Sequence, residues 1–263
     1  MADSIDAITN HERETWDRCA EIFEDNLAPL TRQGYQLILD TGRIASGMRV
    51  LDIGCGPGNF TAAYAGLGAD AVGIDLAPQM VRVATEHYPD IEFRAAKAEE
   101  LPFDDESFDV VVAGYVVHHL ASPEDAFGEV RRVLKPGGRF IFVIPVQESQ
   151  SSFGAFISAL TEHHTREVPG GPLLLETDSS VHERMLAESG FSECQVEQRE
   201  VTCHLQSLDL LIKGCWEIAK LSDLPREIQA KIEASTRQNA EPYRNDDGTY
   251  TFPDGVLLGM AVK

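Results

Sequence analysis

Three groups of residues in this chain have the types and spacing for chemistry. The first is VLDIGCGPGNF, Val50 to Phe60. An apolar segment runs into Gly54-Cys55-Gly56-Pro57-Gly58, and a helical segment leaves it. Glycines let a ligand approach the backbone where side chains would block it. In an open α/β sheet, such a turn at the carboxyl end of a strand is where ligands bind. The second is Asp75, about 20 positions further on at the end of the next apolar segment. There a carboxylate can reach a ribose and accept from both hydroxyls, so the pair points to a nucleoside-type cofactor. The nicotinamide fingerprint G-x-G-x-x-G is not met. The third glycine comes one place early, and Pro57 removes a backbone donor from the helix N-terminus that would hold a pyrophosphate. The third group is His118-His119. A histidine here could take a proton from a hydroxyl, an amine or a carbon acid. Adjacent residues do not face one pocket, so at least one of the two is expected to be structural.

The elements that must position these residues follow from periodicity. Asp6 to Ile44 reads as helical, with Trp16, Ala20 and Phe23 at helical spacing and Pro29 opening a second stretch. Trp16 and Phe23 could cover a cofactor, but an amphipathic helix packing them into a core is the simpler reading. Then come short strands at Met48–Ile53, Ala71–Ile74 and Ile91–Ala95, with helices at Phe60–Leu67 and Pro78–His87. FDVVVA, Phe108 to Ala113, is a continuous apolar run and marks a strand buried on both faces. Pro123–Leu134 reads as a helix and Arg139–Ile144 as a strand. Strands alternating with helices imply a parallel, doubly wound sheet. Beyond Pro145 lie a polar stretch to Ser152, a helix at Phe153–His164, a turn at Val168–Pro172 and a helix at Ser180–Ser189. Cys194–Leu205 reads as a strand, Leu208–Ala240 as helix broken near Pro225, and Tyr250–Val262 as a last strand interrupted by Pro253 and Gly255.

Composition narrows the function. Lys and Arg number 22 against 43 Asp and Glu, a formal charge of −21. Nucleic-acid binding relies on cations neutralising phosphates, so this chain is a poor candidate for it, and for an anionic membrane. The five cysteines, Cys19, Cys55, Cys194, Cys203 and Cys215, are odd in number and form no CxxC pair, so no disulfide framework or zinc site is expected. Cys55 reads as a small filler of the glycine loop. His163 and His164 beside Glu162 offer too few ligands for a metal and read as rim or surface residues. The polar N-terminus lacks a signal-peptide core, and no apolar run reaches membrane-spanning length, so the expected location is cytoplasmic.

From Met48 to Ile144 the chain resembles the class I S-adenosylmethionine-dependent methyltransferases. It looks most like the group containing ubiquinone and menaquinone biosynthesis C-methyltransferases and many natural-product enzymes. The resemblance rests on VLDIGCGPGNF, AVGIDLAPQM, AEELPFDDESFDVVVAGYVVHHL and EVRRVLKPGGRFIF, in that order. It implies a Rossmann-like α/β fold: a mostly parallel seven-stranded sheet with helical cap insertions. It further implies that Gly54 and Gly56 line the methionine part of the cofactor and that Asp52 orders their loop. Asp75 would hold the ribose hydroxyls, and Leu76 and Met80 would lie against the adenine. Ala98 and Glu99 would edge the adenine, and Gly114 and Tyr115 would lie near the methionyl tail. One departure stands out. Lys97 occupies a position where relatives often carry Asp, and lysine has no acceptor for the adenine amino group. Some relatives also end the fifth strand with an acidic residue that orients a histidine; here that stretch is Ile144-Pro145-Val146.

The chain is therefore expected to be a single methyltransferase domain over 1–263. Its cofactor core would be 46–146 with 179–204 and 249–263, and its cap segments 1–45, 147–178 and 205–248. The expected activity is in-line methyl transfer from S-adenosylmethionine to a small-molecule acceptor, leaving S-adenosylhomocysteine, with His118 or His119 as candidate base. Homo-oligomerisation stays open. So do two other readings: an enzyme of this fold that binds the cofactor for a non-methylating reaction, and a binding module without cofactor. The cap segments 147–178 and 205–248 are expected to open at lower free energy than the sheet.

Overall fold

One sheet positions every candidate residue named above. A computed structural model describes residues 4–146, 151–164, 170, 172 and 176–263. The turn at Val168–Pro172 and the polar stretch from Gln147 fall largely outside these residues. Four helices come first: α1 (Ile5–Cys19), α2 (Phe23–Asn26), α3 (Ala28–Thr31) and α4 (Gly34–Gly42). The alternating core follows as β1 (Arg49–Ile53), α5 (Asn59–Gly66), β2 (Asp70–Asp75), α6 (Pro78–His87), β3 (Glu92–Ala95), β4 (Phe108–Gly114), α7 (Pro123–Val133) and β5 (Leu134–Val146). The chain ends with α8 (Ser152–His163), α9 (Ser179–Glu188), β6 (Ser192–Leu205), α10 (Leu208–Ile218), α11 (Arg226–Ala240) and β7 (Tyr250–Val262).

The strand order is β3-β2-β1-β4-β5-β7-β6. β1 pairs in parallel with β2 and β4, and β4 with β5, while β7 runs antiparallel to both β5 and β6. This is the expected mostly parallel, seven-stranded sheet. The apolar run Val110 to Ala113 of β4 has its reason in two covered faces, while Asp109 before it is only partly buried and pairs with Lys135. Val111 and Ala113 join one apolar cluster with Leu51, Ile53 and Phe140. Val110 and Val112 join another with Val50, Ile141 and Val143. Helix starts follow local chemistry: Pro78 and Pro123 open α6 and α7, where a missing N–H costs nothing. Ser151 caps α8 by accepting from Gly154 N at 2.9 Å. α8, α10 and α11 share an apolar cluster of their own with β6 and β7, built on Phe156, Leu211, Ile232 and Phe252. Among the described residues no helix is long and apolar enough to cross a membrane.

The sheet reverses its winding between β1 and β4, and the ends of β1, β2 and β4 open there into a cavity of about 440 Å³. That is the switch point at which ligands bind in open α/β sheets.

Candidate functional site

The cavity floor is the loop between β1 and α5. Gly54, Gly56 and Gly58 all take left-handed backbone, at φ +65, +52 and +88. Two of these positions need glycine for different reasons. A Cβ on Gly54 would come within 2.2 Å of Val116 Cγ2, so the loop packs directly on the segment after β4. A Cβ on Gly56 would meet nothing nearer than Phe23 Cζ at 4.0 Å, so its open side faces the cavity. The loop is pinned from below: Cys55 N donates to Ile74 O at 2.9 Å, tying it to β2.

Asp75 ends β2 beside this loop and lines the cavity. Its Oδ2 accepts from Gly56 N at 2.9 Å and its Oδ1 from Ala77 N at 2.8 Å. A carboxylate oxygen takes more than one hydrogen bond, so two backbone donors orient Asp75 and leave acceptor capacity over. Burial pushes its pKa up to about 6 despite those donors. Asp52 does not line the cavity. It lies buried beneath the loop, where Oδ2 accepts from Thr61 Oγ1 at 2.6 Å and so ties β1 to α5. Burial raises it to about 7, Thr61 opposes the rise and the Asp75 charge adds to it.

The remaining candidates gather around this floor. Leu76, Met80, Ala98, Glu99, Gly114 and Tyr115 all line the cavity. The Glu99 carboxylate also faces Ser122 N at 3.4 Å, at the start of α7. Lys97 is exposed and stands on the cavity wall. Tyr115 holds an uncommon left-handed backbone, φ 62, fixed by its N–H donating to Val143 O at 2.6 Å. The two histidines separate as adjacency requires. His119 lines the cavity; His118 is buried behind it, and burial keeps its pKa well below the ordinary value.

The roof combines the two sequence readings of Trp16 and Phe23, as a cover and as core residues. Both pack on an apolar cluster with Cys19, Leu27, Ala77 and Met80, and both also line the cavity. α1 adds Glu12, whose Oε2 accepts from Trp16 Nε1 at 3.0 Å and lies 3.1 Å from His119 Nδ1. The signal was present in the sequence. Glu12 sits on the stripe Ile8, Glu12, Thr15, Cys19 that α1 buries, and an acidic residue there requires a partner.

Known proteins resemble this chain in sequence over the core strands and in fold over most of its length. Residues 51–142 match the family model described as a methyltransferase domain. The chain is 36% identical over 139 residues to the demethylmenaquinone methyltransferase of Renibacterium salmoninarum, covering 53% of this chain and 57% of that protein. It thus spans little more than half the length of that relative. Among solved structures, the YcgJ protein of Bacillus subtilis superposes with a TM-score of 0.59 at 23% identity, covering 88% of this chain and 98% of that one. Phosphoethanolamine N-methyltransferase 2 of Haemonchus contortus, solved in complex with S-adenosyl-L-methionine, superposes with a TM-score of 0.58 at 19% identity. That match covers 94% of this chain and 56% of the other. At these identities the structural likeness speaks for the fold.

Proposed function

We propose that this chain, whose residues 51–142 match the family model described as a methyltransferase domain, is a class I methyltransferase that binds S-adenosylmethionine and methylates a small-molecule acceptor. The observation carrying this reading is the pairing of Asp75 with Gly56. A carboxylate oriented by two backbone donors stands beside a glycine whose missing side chain leaves room in the cavity. That arrangement suits a ribose held edge-on with its chain passing over bare backbone.

In this reading Asp75 accepts from the ribose hydroxyls, Leu76 and Met80 offer apolar surface to the adenine, and Ala98 and Glu99 border its edge. Gly54, Gly56, Gly114 and Tyr115 line the path of the methionyl tail. Trp16 and Phe23 cover the site and keep water from the reacting centre. When bound, the cofactor supplies a methyl group already activated by sulfonium charge. The protein then contributes mainly alignment, worth about 7–11 kcal/mol for a well-placed pair. Of the segments expected to cap the site, only 1–45 lines the cavity among the described residues, through Thr9, Glu12, Trp16, Phe23 and Tyr35 among others, and it forms the acceptor side; no described residue of α8, α10 or α11 reaches the cavity. A cytoplasmic location fits the acidic composition and five cysteines that are all free thiols.

Calorimetric titration tests this. S-adenosylmethionine and S-adenosylhomocysteine should bind in the micromolar range or tighter, with no heat from NAD. Heat from NAD and none from either sulfur compound would overturn the assignment. Cofactor binding without homocysteine product in the presence of acceptors would favour a non-methylating enzyme of this fold.

A further inference from the structure

The cavity holds a second constellation that nucleoside recognition does not use. Glu12 is 6% exposed, and no lysine or arginine pairs with it among the described residues. A carboxylate this deep must find hydrogen bonds or charge to compensate for lost water. Its compensation comes from Trp16 Nε1 at 3.0 Å and His119 Nδ1 at 3.1 Å, both at Oε2. Burial alone would raise the Glu12 pKa; the His119 interaction, with Trp16, outweighs it and holds the group below its ordinary value.

An ionised carboxylate only accepts, so the proton between Glu12 and His119 belongs to Nδ1. The 3.1 Å contact favours the tautomer with Nδ1–H toward Glu12 and the lone pair on Nε2. Nδ1 is fully buried while 22% of the side chain stays exposed, so the open edge of the ring lies away from Glu12. The Nδ1 contact is short but imperfectly aligned, as catalytic hydrogen bonds often are before a substrate tightens the site. The surrounding titratable groups are few. His118 lies with its ring centre 4.0 Å from that of His119 and is kept neutral by burial. His11 is close enough on α1 to act on Glu12, and Lys97 and Glu99 stand on the same cavity wall.

The geometry points to Glu12 as a positioning residue that sets His119 as a general base, and hence to an acceptor whose nucleophile must shed a proton, a phenolic or enolic hydroxyl. The inference rests on the methyltransferase reading. An amine already free as its base, or a thioether, would need no such group. His119 Nε2 takes the hydroxyl proton as the oxygen forms its bond to the methyl carbon. The electron pair of the broken methyl–sulfur bond stays on sulfur and cancels its positive charge. The imidazolium so formed is paired with Glu12 and returns its proton to water. Because Glu12 and Trp16 both ride on α1, the base is complete only when that helix is seated over the cavity.

The decisive measurement is nitrogen-15 NMR of the histidine rings in the free protein. Wild-type His119 should be the Nδ1–H tautomer. In Glu12→Gln that preference should weaken; Glu12→Asp should retain part of it. A wild-type Nε2–H tautomer, or no change in Glu12→Gln with a native near-UV circular dichroism spectrum, would overturn the role of Glu12. The acceptor class is read with methyl-13C S-adenosylmethionine and a panel of phenols and enols matched by primary amines and thiols. Label should appear on oxygen, and Glu12→Gln should lower turnover about tenfold or more while cofactor KM changes less than twofold. Label only on nitrogen or sulfur, or on no panel member, overturns the hydroxyl assignment. Calorimetry on the same samples keeps the two readings apart. Absence of cofactor binding would reject the methyltransferase reading and leave the tautomer result to be judged alone.

Discussion

Asp75 shows how far one residue can be read from sequence. Its spacing from the glycine loop marks a ribose carboxylate, and the structure adds a second task, since Gly56 N and Ala77 N both donate to it. Asp75→Ala should therefore weaken S-adenosylmethionine binding about tenfold or more, roughly 1.4 kcal/mol. It should also lower the melting temperature of the free protein, because a buried donor left without an acceptor costs about 1–3 kcal/mol. An unchanged dissociation constant would place the ribose elsewhere. The pKa of about 6 adds a pH signature. Folding raises this group above its ordinary value near 4, so its contribution to stability is largest at acid pH and is lost as pH rises through about 6. Ligand binding has the opposite sign, since the protonated acid accepts fewer hydroxyls. Between pH 8 and pH 5 cofactor affinity should fall roughly tenfold through this group, and titration calorimetry across that range should find the slope reduced in Asp75→Ala. Glu12 was far less legible. Its partner His119 lies in a distant segment, and no local pattern announces that contact.

The core elements were legible because their sequences answer to local rules. β4 is apolar from Val110 to Ala113 because both faces are covered there, and α6 and α7 begin at prolines. The last strand was harder, since Pro253 and Gly255 lie in it and proline avoids central strands. The structure resolves the conflict. Among the described residues β5 pairs with β7 as far as Gly255, and at Pro253 the strand pairs with β6, so there it behaves as an edge. The glycine loop offers a test at this scale. Gly54→Ala sets a methyl group 2.2 Å from Val116 Cγ2 on left-handed backbone, whereas Gly56→Ala meets only the backbone penalty. That penalty is about 1–2 kcal/mol. Thermal melts should show Gly54→Ala as clearly the less stable. Gly56→Ala should stay folded yet lose most cofactor affinity, because its methyl group enters the cavity. Equal affinity in Gly56→Ala and wild type would mean that no ligand passes over this loop.

Across the whole molecule, the apolar clusters rank the parts by how firmly they are held. β1, β4 and β5 are packed on both faces by two clusters. The sequence reading grouped 205–248 with the weakly held segments, since short helices between turns bury little. The structure adds that α8, α10 and α11 enclose Phe156, Leu211, Ile232 and Phe252 in a cluster of their own, so they rank between the sheet and α1. α1 is different. Besides Ile8 and Cys19, its buried face is Thr9, Glu12 and Thr15. Its ties to the core include Asp17 with Gln79 N, and just beyond its end Glu21 pairs with Arg82, both exposed. Exposed ion pairs contribute roughly 0–1 kcal/mol, so α1 is the element best able to lift while the rest stays folded. A cofactor enclosed by Trp16 and Phe23 needs such an opening to enter and leave. Hydrogen-exchange mass spectrometry of the free protein should then show α1 exchanging fastest, α8, α10 and α11 at intermediate rates, and β1, β4 and β5 slowest. S-adenosylhomocysteine should slow α1 most, through Trp16, with Phe23 of α2 beside it, and leave α11 nearly unchanged. Protection of α1 equal to that of β4 in the free protein would make the roof a fixed wall, and entry would have to be sought on the side of the other cap segments.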